Sequence, residues 1–488
     1  MRPVHGLPTV TASDRVRHVV VVGGGIAGLA AAYHLRRTAG DRLRITVLEA
    51  AAEVGGKLRL GHLAGVPVDV GAEALLARRP EGVELARAVG LADRLEPAVT
   101  AAAGVWTRGR LRPLPAGHVM GVPTDLRALA ASGLLSLRGL ARVPWDLVQP
   151  ARAVTADVSV ARYLAARVGR EVVDRLVEPL LGGVYAGRAD LLSLQATLPS
   201  VAAVARGGGP LLTGLRPHGP ADPTPVFVGL AGGLGTLPAA IARAAAAQVR
   251  LGSPVRALAR TPHGFRLTVG STRAGQSLDA DAVVLAVPAA PAARLLVDVA
   301  PAAAADLAGI GYASVAVVTL AYPAPVLAPR LTGSGFLVPP VDGHLVKAVT
   351  YVSRKWRWQH DAAPEVVVLR ASVGRFGAEA DLQRDDGELV DLVAAEVGTA
   401  LGVGPPGAGG PAPVASLVTR WGGALPQYAV GHRSLVARVH AEVGRVPGLA
   451  VCGAAYDGVG VPACIATGRE AAGRVLADLR ARGEWAHG

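Results

Sequence analysis

A run of valines that leads into clustered glycines constrains this chain more than any other feature. The stretch "HVVVVGGGIAGLAAAYHL" spans residues 18–35 and places Gly23, Gly25 and Gly28 at G-x-G-x-x-G spacing. The first glycine of such a motif permits a tight turn, the second lets backbone approach a pyrophosphate, and the third lets helix and strand pack closely. The N-terminus of the helix then faces the phosphates. The pattern therefore predicts a strand, a turn and a helix that bind a dinucleotide.

The sequence around this motif supports the same interpretation. The motif alone is a weak signal, because 62 of the 488 residues are glycine. It is, however, part of a strand, helix, strand pattern over Val19–Val22, Ile26–Arg37 and Arg44–Leu48. Glu49 ends the second strand, where a carboxylate accepts hydrogen bonds from ribose hydroxyls. A solvated strand end is the alternative role for Glu49.

Two further segments favour FAD over NAD. In "EAAAEVGGKL", Gly55 and Gly56 allow close backbone approach to an extended cofactor, and Lys57 supplies positive charge nearby. Near the C-terminus, Gly453 ends a strand and "GVGVPACI" begins a helix. The N-terminus of that helix can face the pyrimidine end of an isoalloxazine and stabilise the reduced flavin. An ordinary glycine-rich turn between strand and helix is the alternative for this C-terminal segment.

The chain carries no convincing second nucleotide-binding unit. The nearest candidate is "GLAGGLGTL", residues 229–237, which lacks a long apolar strand before it and an acidic residue at the end of the next strand. A reductase that uses NADPH would usually have such a second unit. The sequence therefore favours an oxidase, in which oxygen or a diffusible acceptor takes the electrons from the flavin.

Composition excludes several other classes of protein. No window of about 18 uninterrupted apolar residues is present, so a membrane-spanning helix is not expected. Residues 1–17 lack the apolar core of a secretion signal and are expected to form a disordered lead-in. The chain has two cysteines, Cys452 and Cys464, which favours a reducing compartment over a disulfide framework. The expected location is the cytoplasm.

The net charge of +13 bears on binding partners. It arises from 50 basic and 37 acidic residues, and most of the basic residues are single arginines in alanine-rich helices. No basic run interleaved with aromatic residues is present, which argues against nucleic-acid binding. An anionic small molecule, or peripheral contact with an anionic membrane surface, stays open. The sequence carries no signal for a particular oligomeric state.

The order of these patterns predicts an α/β fold class. It is a Rossmann-like FAD-binding domain assembled from discontinuous segments, with a β-rich substrate domain and a helical insertion. Strands with turns are expected over residues 313–373, a helix around Asp385–Leu401 and a loop over Gly402–Pro413. The predicted division is a lead-in at 1–17, FAD-binding parts at 18–90, 206–295 and 414–488, the helical insertion at 91–205 and the β-rich domain at 296–413.

Seven stretches, in order along nearly the whole chain, resemble the protoporphyrinogen/coproporphyrinogen oxidase family. They are "GGGIAGLAAAYHL", "LEAAAEVGGKL", "VDVGAEALLARRPE", "RLRPLPAGHVMGVPTDL", "DRLVEPLLGGVYAGRADLLSLQATLP", "RWGGALPQY" and "GAAYDGVGVPACIATG". The first and last are shared with amine oxidases and phytoene desaturases, whereas "PLLGGVYAGRADLLSL" and "PLPAGHVMGVPT" are more specific. The composition is typical of a high-GC bacterium, and in Gram-positive lineages the family is generally associated with coproporphyrinogen III.

The resemblance implies an FAD-dependent oxidase that converts coproporphyrinogen III to coproporphyrin III in haem biosynthesis. Six hydrogens leave, so a two-electron flavin turns over three times and, with oxygen as acceptor, yields three hydrogen peroxide molecules. Protoporphyrinogen IX is the alternative substrate. A flavin amine oxidase or carotenoid desaturase is the alternative enzyme class, and a flavin-containing porphyrin binder is the alternative without turnover. The implied partners are the porphyrinogen, oxygen and the next enzyme of the haem pathway.

The resemblance also assigns site residues. Those implied to contact non-covalent FAD or to lie near it are Gly23, Gly24, Gly25, Ile26, Ala27, Gly28, Glu49, Ala50, Gly55, Gly56, Lys57, Leu58, Gly71, Ala72, Glu73, Val255, Trp421, Gly453, Val459, Gly460 and Val461. Plain core packing is the alternative for Val255, which would meet the adenine, and for Trp421, which would flank the flavin. Arg79 aligns with a basic position thought to meet a substrate propionate, and a solvated arginine is its alternative.

The remaining implications concern catalysis and the insertion. Flavin N5 would accept the hydride from a meso carbon, and no residue is assigned as a proton acceptor or a metal ligand. The helical insertion resembles the domain with which family members dock on membranes, and its short apolar faces permit at most peripheral contact.

Overall fold

The structure, a computed structural model, describes residues 16–217 and 224–482. The predicted lead-in therefore lies outside the described residues, apart from its last two residues. Within the described residues the strands are β1 (Arg17–Val22), β2 (Leu43–Leu48), β3 (Leu60–Leu63), β4 (Val66–Asp69), β5 (Leu75–Leu76), β6 (Leu95–Pro97), β7 (Gly104–Thr107), β8 (Arg110–Pro113), β9 (His118–Val119), β10 (Val122–Pro123), β11 (Phe227–Leu230), β12 (Gln248–Arg250), β13 (Val255–Thr261), β14 (Gly264–Val269), β15 (Gln276–Ala280), β16 (Ala282–Leu285), β17 (Tyr312–Pro323), β18 (Gly335–Leu337), β19 (Val346–Tyr351), β20 (Val366–Val373), β21 (Ala415–Pro426) and β22 (Leu449–Val451).

The helices of the same residues vary from single turns to more than five turns. They are α1 (Ile26–Ala39), α2 (Pro80–Ala88), α3 (Leu126–Ser132), α4 (Leu137–Arg142), α5 (Val160–Val168), α6 (Arg170–Val172), α7 (Glu178–Tyr185), α8 (Leu194–Thr197), α9 (Pro199–Gly207), α10 (Leu211–Gly214), α11 (Leu237–Ala244), α12 (Ala289–Leu296), α13 (Pro301–Ala308), α14 (Ala324–Leu327), α15 (Val352–Lys355), α16 (Arg357–Ala362), α17 (Asp386–Ala400), α18 (His432–Gly444) and α19 (Val461–Ala481). A π-helical turn, Val173–Val177, joins α6 to α7.

A five-stranded parallel sheet carries the dinucleotide motif. Its strand order is β12–β2–β1–β16–β22, so three distant parts of the chain build it. The valine run is β1, and it is buried on both faces. Val19 and Val21 pack towards α1 and α19, whereas Val20 and Val22 pack towards α12, α13 and α18. Two-sided burial of an apolar strand is typical of a parallel sheet between helix layers.

This sheet confirms the predicted α/β class. The strand, helix and strand predicted from the motif are β1, α1 and β2, each one or two residues longer than expected. The helix expected around Asp385–Leu401 is α17, and Asp385 caps it by accepting a hydrogen bond from Glu388 N. Local signals were sufficient here because apolar periodicity and helix caps lie within the elements that they define.

A seven-stranded sheet forms the second large layer. Its order is β21–β17–β20–β19–β18–β7–β8, and its pairs are antiparallel except for the parallel pair β18 and β7. Two features of this sheet were not expected from the sequence. β7 and β8 come from a segment expected to be helical, whose other strands β6, β9 and β10 belong to smaller sheets, and β21 joins this sheet although it follows residue 413, the predicted end of the β-rich domain. Pairing with distant strands leaves no mark in local periodicity, which is why the sequence did not predict it.

The second glycine-rich motif, residues 229–237, does not follow a strand of the parallel sheet. Its strand β11 pairs antiparallel with β5 and β6 in a three-stranded sheet. A nucleotide cradle needs a parallel strand that leads into the N-terminus of a helix. The motif therefore lacks that framework. Separately, no helix among the described residues combines the length and the apolar character needed to cross a membrane.

Candidate active site

The turn between β1 and α1 is closed on one side and open on the other. Gly23 has φ of +107°, and a Cβ atom there would lie 2.5 Å from the carbonyl oxygen of Ala286. A Cβ atom on Gly28 would lie 2.0 Å from the carbonyl oxygen of Gly23. At Gly25, by contrast, no atom lies within 4 Å of the Cβ position. Glycine is thus required where α1 meets the sheet, and free space remains at the N-terminus of α1, as a phosphate cradle needs.

The carboxylate of Glu49 lies against this turn. One of its oxygens accepts a hydrogen bond from Gly24 N at 2.7 Å, and the other accepts one from Ala51 N at 2.8 Å. Each carboxylate oxygen keeps capacity for a further hydrogen bond. The second glycine pair is adjacent, since Gly55 N donates to the carbonyl oxygen of Gly24 at 2.8 Å. The structure brings the cradle, the acidic residue and the second glycine pair together.

The segment Gly71–Glu73 runs beside the second glycine pair. Ala72 N donates to the carbonyl oxygen of Lys57 at 2.9 Å, and a Cβ atom on Gly71 would lie 1.9 Å from that oxygen. Trp421 also lies against the segment: its Cζ2 atom would be 3.4 Å from a Cβ atom on Gly71, and its Nε1 donates to the carbonyl oxygen of Val70 at 2.8 Å. Trp421 therefore lies next to the segment that the sequence assigned to the flavin.

Two electropositive groups meet at the N-terminus of α19. This helix begins after Gly460 with no side-chain cap and no acidic residue in its first turn. The Lys57 ammonium is partly buried near Cys464 of that turn and has no ion-pair or hydrogen-bond partner within the described part of the chain. Desolvation lowers the pKa of Lys57, and the Cys464 thiol opposes the shift. An unpaired cation beside a helix N-terminus favours an anionic ligand group.

The loop that leads into α19 is held by Tyr428. The Tyr428 hydroxyl donates to the carbonyl oxygen of Ala454 at 2.7 Å and accepts from Gly458 N at 2.8 Å. The His432 ring stacks on the Tyr428 ring with centroids 3.8 Å apart, and His432 Nε2 lies 3.2 Å from the carbonyl oxygen of Tyr456. These contacts fix the main chain just before Val459, Gly460 and Val461. α19 itself packs closely on α1, since a Cβ atom on Gly468 would lie 2.2 Å from the carbonyl oxygen of Ala27.

A buried ion cluster lies behind the segment Gly71–Glu73. The Glu73 carboxylate accepts hydrogen bonds from Lys355 Nζ at 2.6 Å and from Arg370 at 2.9 Å. A second nitrogen of Arg370 donates to the carbonyl oxygen of Gly71. Burial alone would raise the pKa of Glu73, but the two cations lower it to about 2. The Glu73 carboxylate is therefore ionised and paired with two protein cations.

Asp69, at the end of β4, binds the turn that precedes α11. Its carboxylate accepts hydrogen bonds from Leu234 N and Gly235 N, both at 2.8 Å, and so caps the turn before α11. Burial raises the pKa of Asp69 to about 6, although these hydrogen bonds oppose the shift. The glycine-rich residues 229–237 thus have a structural partner in Asp69.

The cradle fits FAD. Both α1 and α19 begin at glycines without side-chain caps and without acidic residues in their first turns, so each leaves main-chain N–H groups for an anionic ligand. The space at Gly25 would take the pyrophosphate, and Glu49 would bind a ribose. Lys57 and the N-terminus of α19 would stabilise negative charge on the reduced ring.

The other predicted residues occupy more varied positions. Val255 begins β13 two residues after Ser253, whose N–H donates to the carbonyl oxygen of Glu49 at 2.7 Å. The side chain of Ala50 is exposed. Gly453 N donates to Thr467 Oγ1 at 3.1 Å, and the Cβ direction of Gly453 is open. Leu58 is buried in the core around α1 and α19.

Arg79 lies apart from the residues of the cradle. It precedes α2, and its guanidinium donates to the Glu81 carboxylate at 2.8 Å. The Arg79 side chain is 49% exposed and that of Glu81 is 12% exposed. Glu81 is also electrostatically coupled to Arg469, which lies eight residues after Val461, or about 12 Å along α19. The role of Arg79 towards a substrate stays a prediction.

A small apolar cluster joins the helical insertion to the seven-stranded sheet. Its buried members are Ala186, Ala313, Val315 and Ala424, and Phe376, Trp421 and Leu425 pack against them. Ala186 belongs to "PLLGGVYAGRADLLSL", one of the two more specific sequence motifs, and its carbonyl oxygen accepts a hydrogen bond from Phe376 N at 2.8 Å. Through Trp421 the cluster adjoins the segment Gly71–Glu73. We call it the junction cluster.

Sequence reasoning missed the partners of these segments. Lys355 and Arg370 lie 282 and 297 residues from Glu73, and Tyr428 lies 26 and 30 residues from Ala454 and Gly458. One local signal was available for Arg370, because it interrupts the apolar run "EVVVLRASV" of a buried strand. A charged residue in such a strand needs a partner. That the partner of Arg370 is Glu73 follows only from the tertiary fold.

Comparisons with known proteins are consistent with this geometry. Residues 26–476 match the family described as flavin containing amine oxidoreductase. Coproporphyrinogen III oxidase of Mycobacterium tuberculosis is 39% identical over 470 residues, which cover 96% of this chain and 99% of that protein. Human protoporphyrinogen oxidase is 31% identical, with coverage of 94% and 98%. The crystal structure of a putative protoporphyrinogen oxidase from Exiguobacterium is 32% identical with a TM-score of 0.82, and the match covers 96% of this chain and 99% of that one.

Proposed function

The chain belongs to the flavin containing amine oxidoreductase family as a relative of the coproporphyrinogen III oxidases, and on that premise we propose that it oxidises coproporphyrinogen III to coproporphyrin III in haem biosynthesis. It is an oxidoreductase with FAD as cofactor. The observation that carries the substrate assignment is the similarity over nearly the full length of both chains to proteins named for this reaction. The assembled cradle at Gly23–Gly28, Glu49 and Lys57 supports the cofactor.

FAD, when bound, accepts a hydride from the porphyrinogen and passes the electrons to an acceptor. The protein has to hold a large, flat and mostly apolar molecule against the ring and keep water away. The half-buried members of the junction cluster, Phe376, Trp421 and Leu425, supply apolar surface beside the segment Gly71–Glu73. We propose that the porphyrinogen lies on this surface, with its propionates directed towards solvent. Arg79 is our candidate for a propionate contact at the rim, by which we mean the solvent-exposed edge of the substrate site.

Oxygen is the proposed electron acceptor. The support is that the second glycine-rich motif, residues 229–237, belongs to an antiparallel sheet and is capped by Asp69, an arrangement unlike a second dinucleotide cradle. Each porphyrin would then be accompanied by three molecules of hydrogen peroxide.

The test is anaerobic mixing of the purified yellow protein with coproporphyrinogen III, followed by admission of air. Bleaching of the flavin band, then its return with coproporphyrin fluorescence and peroxide in a ratio of three, is the expected result. A flavin that stays oxidised with this substrate but bleaches with protoporphyrinogen IX would transfer the assignment to that substrate. Bleaching by an amine or a carotene alone would point to the other enzyme classes. Strict dependence on added NADP without peroxide would contradict the role of oxygen.

The helical insertion offers a surface for peripheral membrane contact. Leu137, Trp145, Leu147 and Val148 are exposed around α4 and the turn after it. Asp146, between two of them, is fully buried and accepts a hydrogen bond from Arg167 Nε at 2.7 Å, so this turn directs its apolar neighbours outward. Indole and aliphatic groups near arginines are suited to an anionic lipid interface. Sedimentation with anionic and with neutral vesicles tests this contact, and Trp145→Ser should weaken it.

A further inference from the structure

Two strands of the seven-stranded sheet hold the flavin-binding segment by its main chain. Arg370 on β20 donates to the carbonyl oxygen of Gly71, and Trp421 on β21 donates to the carbonyl oxygen of Val70. The two strands flank β17, where Thr319 pairs with Arg370 on one side. Consecutive carbonyl groups of one segment are therefore bonded to both outer strands of a three-strand unit. The sheet and the segment cannot shift relative to each other without breaking these bonds.

The Glu73 side chain ties the same segment to the sheet through two ion pairs. Its carboxylate lies between Lys355 and Arg370, with both ion pairs shorter than 3 Å and all three side chains at most 15% exposed. Lys355 is also placed over the rings of Phe227 and Trp356, with Nζ 4.9 Å and 5.1 Å from the centroids. A buried ion cluster contributes little net stability compared with apolar packing, and its best-attested use is to fix one arrangement.

We propose that Glu73, together with Lys355 and Arg370, is a positioning residue that sets the flavin ring in register with the junction cluster. The inference rests on the proposed function, because the junction cluster is where the porphyrinogen would lie. Hydride transfer needs the reacting atoms within a few tenths of an ångström of their productive separation. Reaction of the reduced flavin with oxygen needs no such register with a bound organic substrate. Weakening the ion cluster of Glu73, Lys355 and Arg370 should therefore slow the reduction of the flavin by substrate but not its reoxidation by oxygen.

The test uses the holoenzyme of the Glu73→Gln variant. Glutamine keeps the shape of the side chain but offers a neutral oxygen to one cation and an N–H₂ group to the other. We expect the rate of anaerobic flavin reduction by coproporphyrinogen III to fall about tenfold or more. Reoxidation in air after reduction by dithionite, and the flavin content, should match the wild type. The visible circular dichroism of the bound flavin should change, and this readout needs no substrate.

Two further variants separate positioning from a general loss of structure. Lys355→Met removes one cation and should slow reduction in the same selective way, and Lys355→Arg should restore it. Arg438→Gln breaks an exposed ion pair with Asp306, 2.7 Å long, and should change neither half-reaction nor the dichroism. If Glu73→Gln does not yield folded protein, the two Lys355 variants decide the question.

Equal slowing of both half-reactions, or no change in either, would overturn the positioning role. If the wild type itself is not reduced by coproporphyrinogen III, the proposed function fails. In that case the dichroism still decides the positioning role, because an unchanged spectrum in Glu73→Gln would contradict it.

Discussion

The hydroxyl of Tyr428 accepts a hydrogen bond from the main-chain N–H of Gly458, 2.8 Å away. The same hydroxyl donates to the carbonyl oxygen of Ala454, so one side chain closes the loop that precedes α19. Tyr428→Phe should lower the free energy of unfolding by about 0.5–1.5 kcal/mol, because the half-buried Gly458 N–H and the carbonyl oxygen of Ala454 then lose their shared partner. It should also weaken FAD binding, since this loop leads into Val459–Val461. Thermal unfolding and release of flavin fluorescence measure the two effects.

Tyr33 provides the matched control for this change. It is partly buried on α1, and its hydroxyl has no hydrogen-bond partner within the described part of the chain. Tyr33→Phe should leave both the unfolding temperature and the flavin affinity unchanged. A loss of similar size in the two variants would mean that the loop contacts of Tyr428 do not matter for the cofactor.

Gly25 should be replaceable without loss of the fold but with loss of the cofactor. Its φ of −72° and ψ of 176° are extended backbone that valine adopts readily, and no atom lies within 4 Å of its Cβ position. Gly25→Val should therefore fold, while its side chain occupies the space for the pyrophosphate. We expect a colourless protein with normal far-ultraviolet circular dichroism. Gly473→Val, at an exposed position of α19 with equally open surroundings, should stay yellow.

The residues proposed to bind the cofactor were chosen from local signals in the sequence. The spacing of Gly23, Gly25 and Gly28 and the acid at Glu49 act within one strand–helix–strand unit, so the residues that interact are close in sequence. The structure brings these residues together, with Gly24 N bonded to Glu49, and their contacts with FAD stay a prediction. The C-terminal helix was identifiable for the same reason, because its glycine-rich start is a continuous stretch.

The contacts that join the segment Val70–Glu73 to the seven-stranded sheet could not be predicted in the same way. Arg370 and Trp421 act on Val70 and Gly71 across roughly 300 or more residues of chain, and no periodicity encodes such a contact. The pairing of β21 with β17 was not predicted for the same physical reason, since it is decided by the whole sheet. Glu73 was expected to contact the cofactor or lie near it. Its partners, Lys355 and Arg370, are identified only by the tertiary structure.

Lys347 should make the stability of the protein depend on pH. It is buried, and its Nζ donates to the carbonyl oxygen of Gly374 at 2.8 Å. Desolvation, aided by the charge of Arg375, lowers the pKa of Lys347 from 10.5 to about 7. Between these values the unfolded chain binds the proton and the folded chain does not, so stability rises with pH across this window. The contribution is at most about 1.4 kcal/mol per pH unit.

The comparison that isolates this effect is with Lys347→Met. Methionine does not titrate, and its loss of the hydrogen bond to Gly374 is independent of pH. The difference in unfolding temperature between wild type and variant should therefore shift in favour of the wild type from pH 7 to pH 9. A constant difference across this range would show that Lys347 keeps its ordinary pKa in the folded protein.

Arg79 and Glu81 provide a test of the substrate rim. Coproporphyrinogen III carries four carboxylates and protoporphyrinogen IX carries two, so a cation at the rim should favour the former. The Arg79 side of the Arg79–Glu81 pair is half exposed, so a propionate can reach the guanidinium and compete with Glu81 for it. Arg79→Ala should raise KM for coproporphyrinogen III more than for protoporphyrinogen IX, and added salt should reduce the preference of the wild type. Glu81→Gln should act in the opposite direction, because it frees Arg79.

The control for the rim is an arginine with the same type of pairing elsewhere. Arg266 binds the carboxylate of Asp279 through two nitrogens at 2.8 Å and 3.1 Å on the exposed face of the sheet β13–β14–β15. Arg266→Ala should leave both KM values unchanged. Arg59, whose guanidinium carbon lies 5.8 Å from the Trp421 ring centroid, is the competing rim position. A selective rise in KM in Arg59→Ala, with none in Arg79→Ala, would place the propionate contact on the Trp421 side of the flavin and reject Arg79.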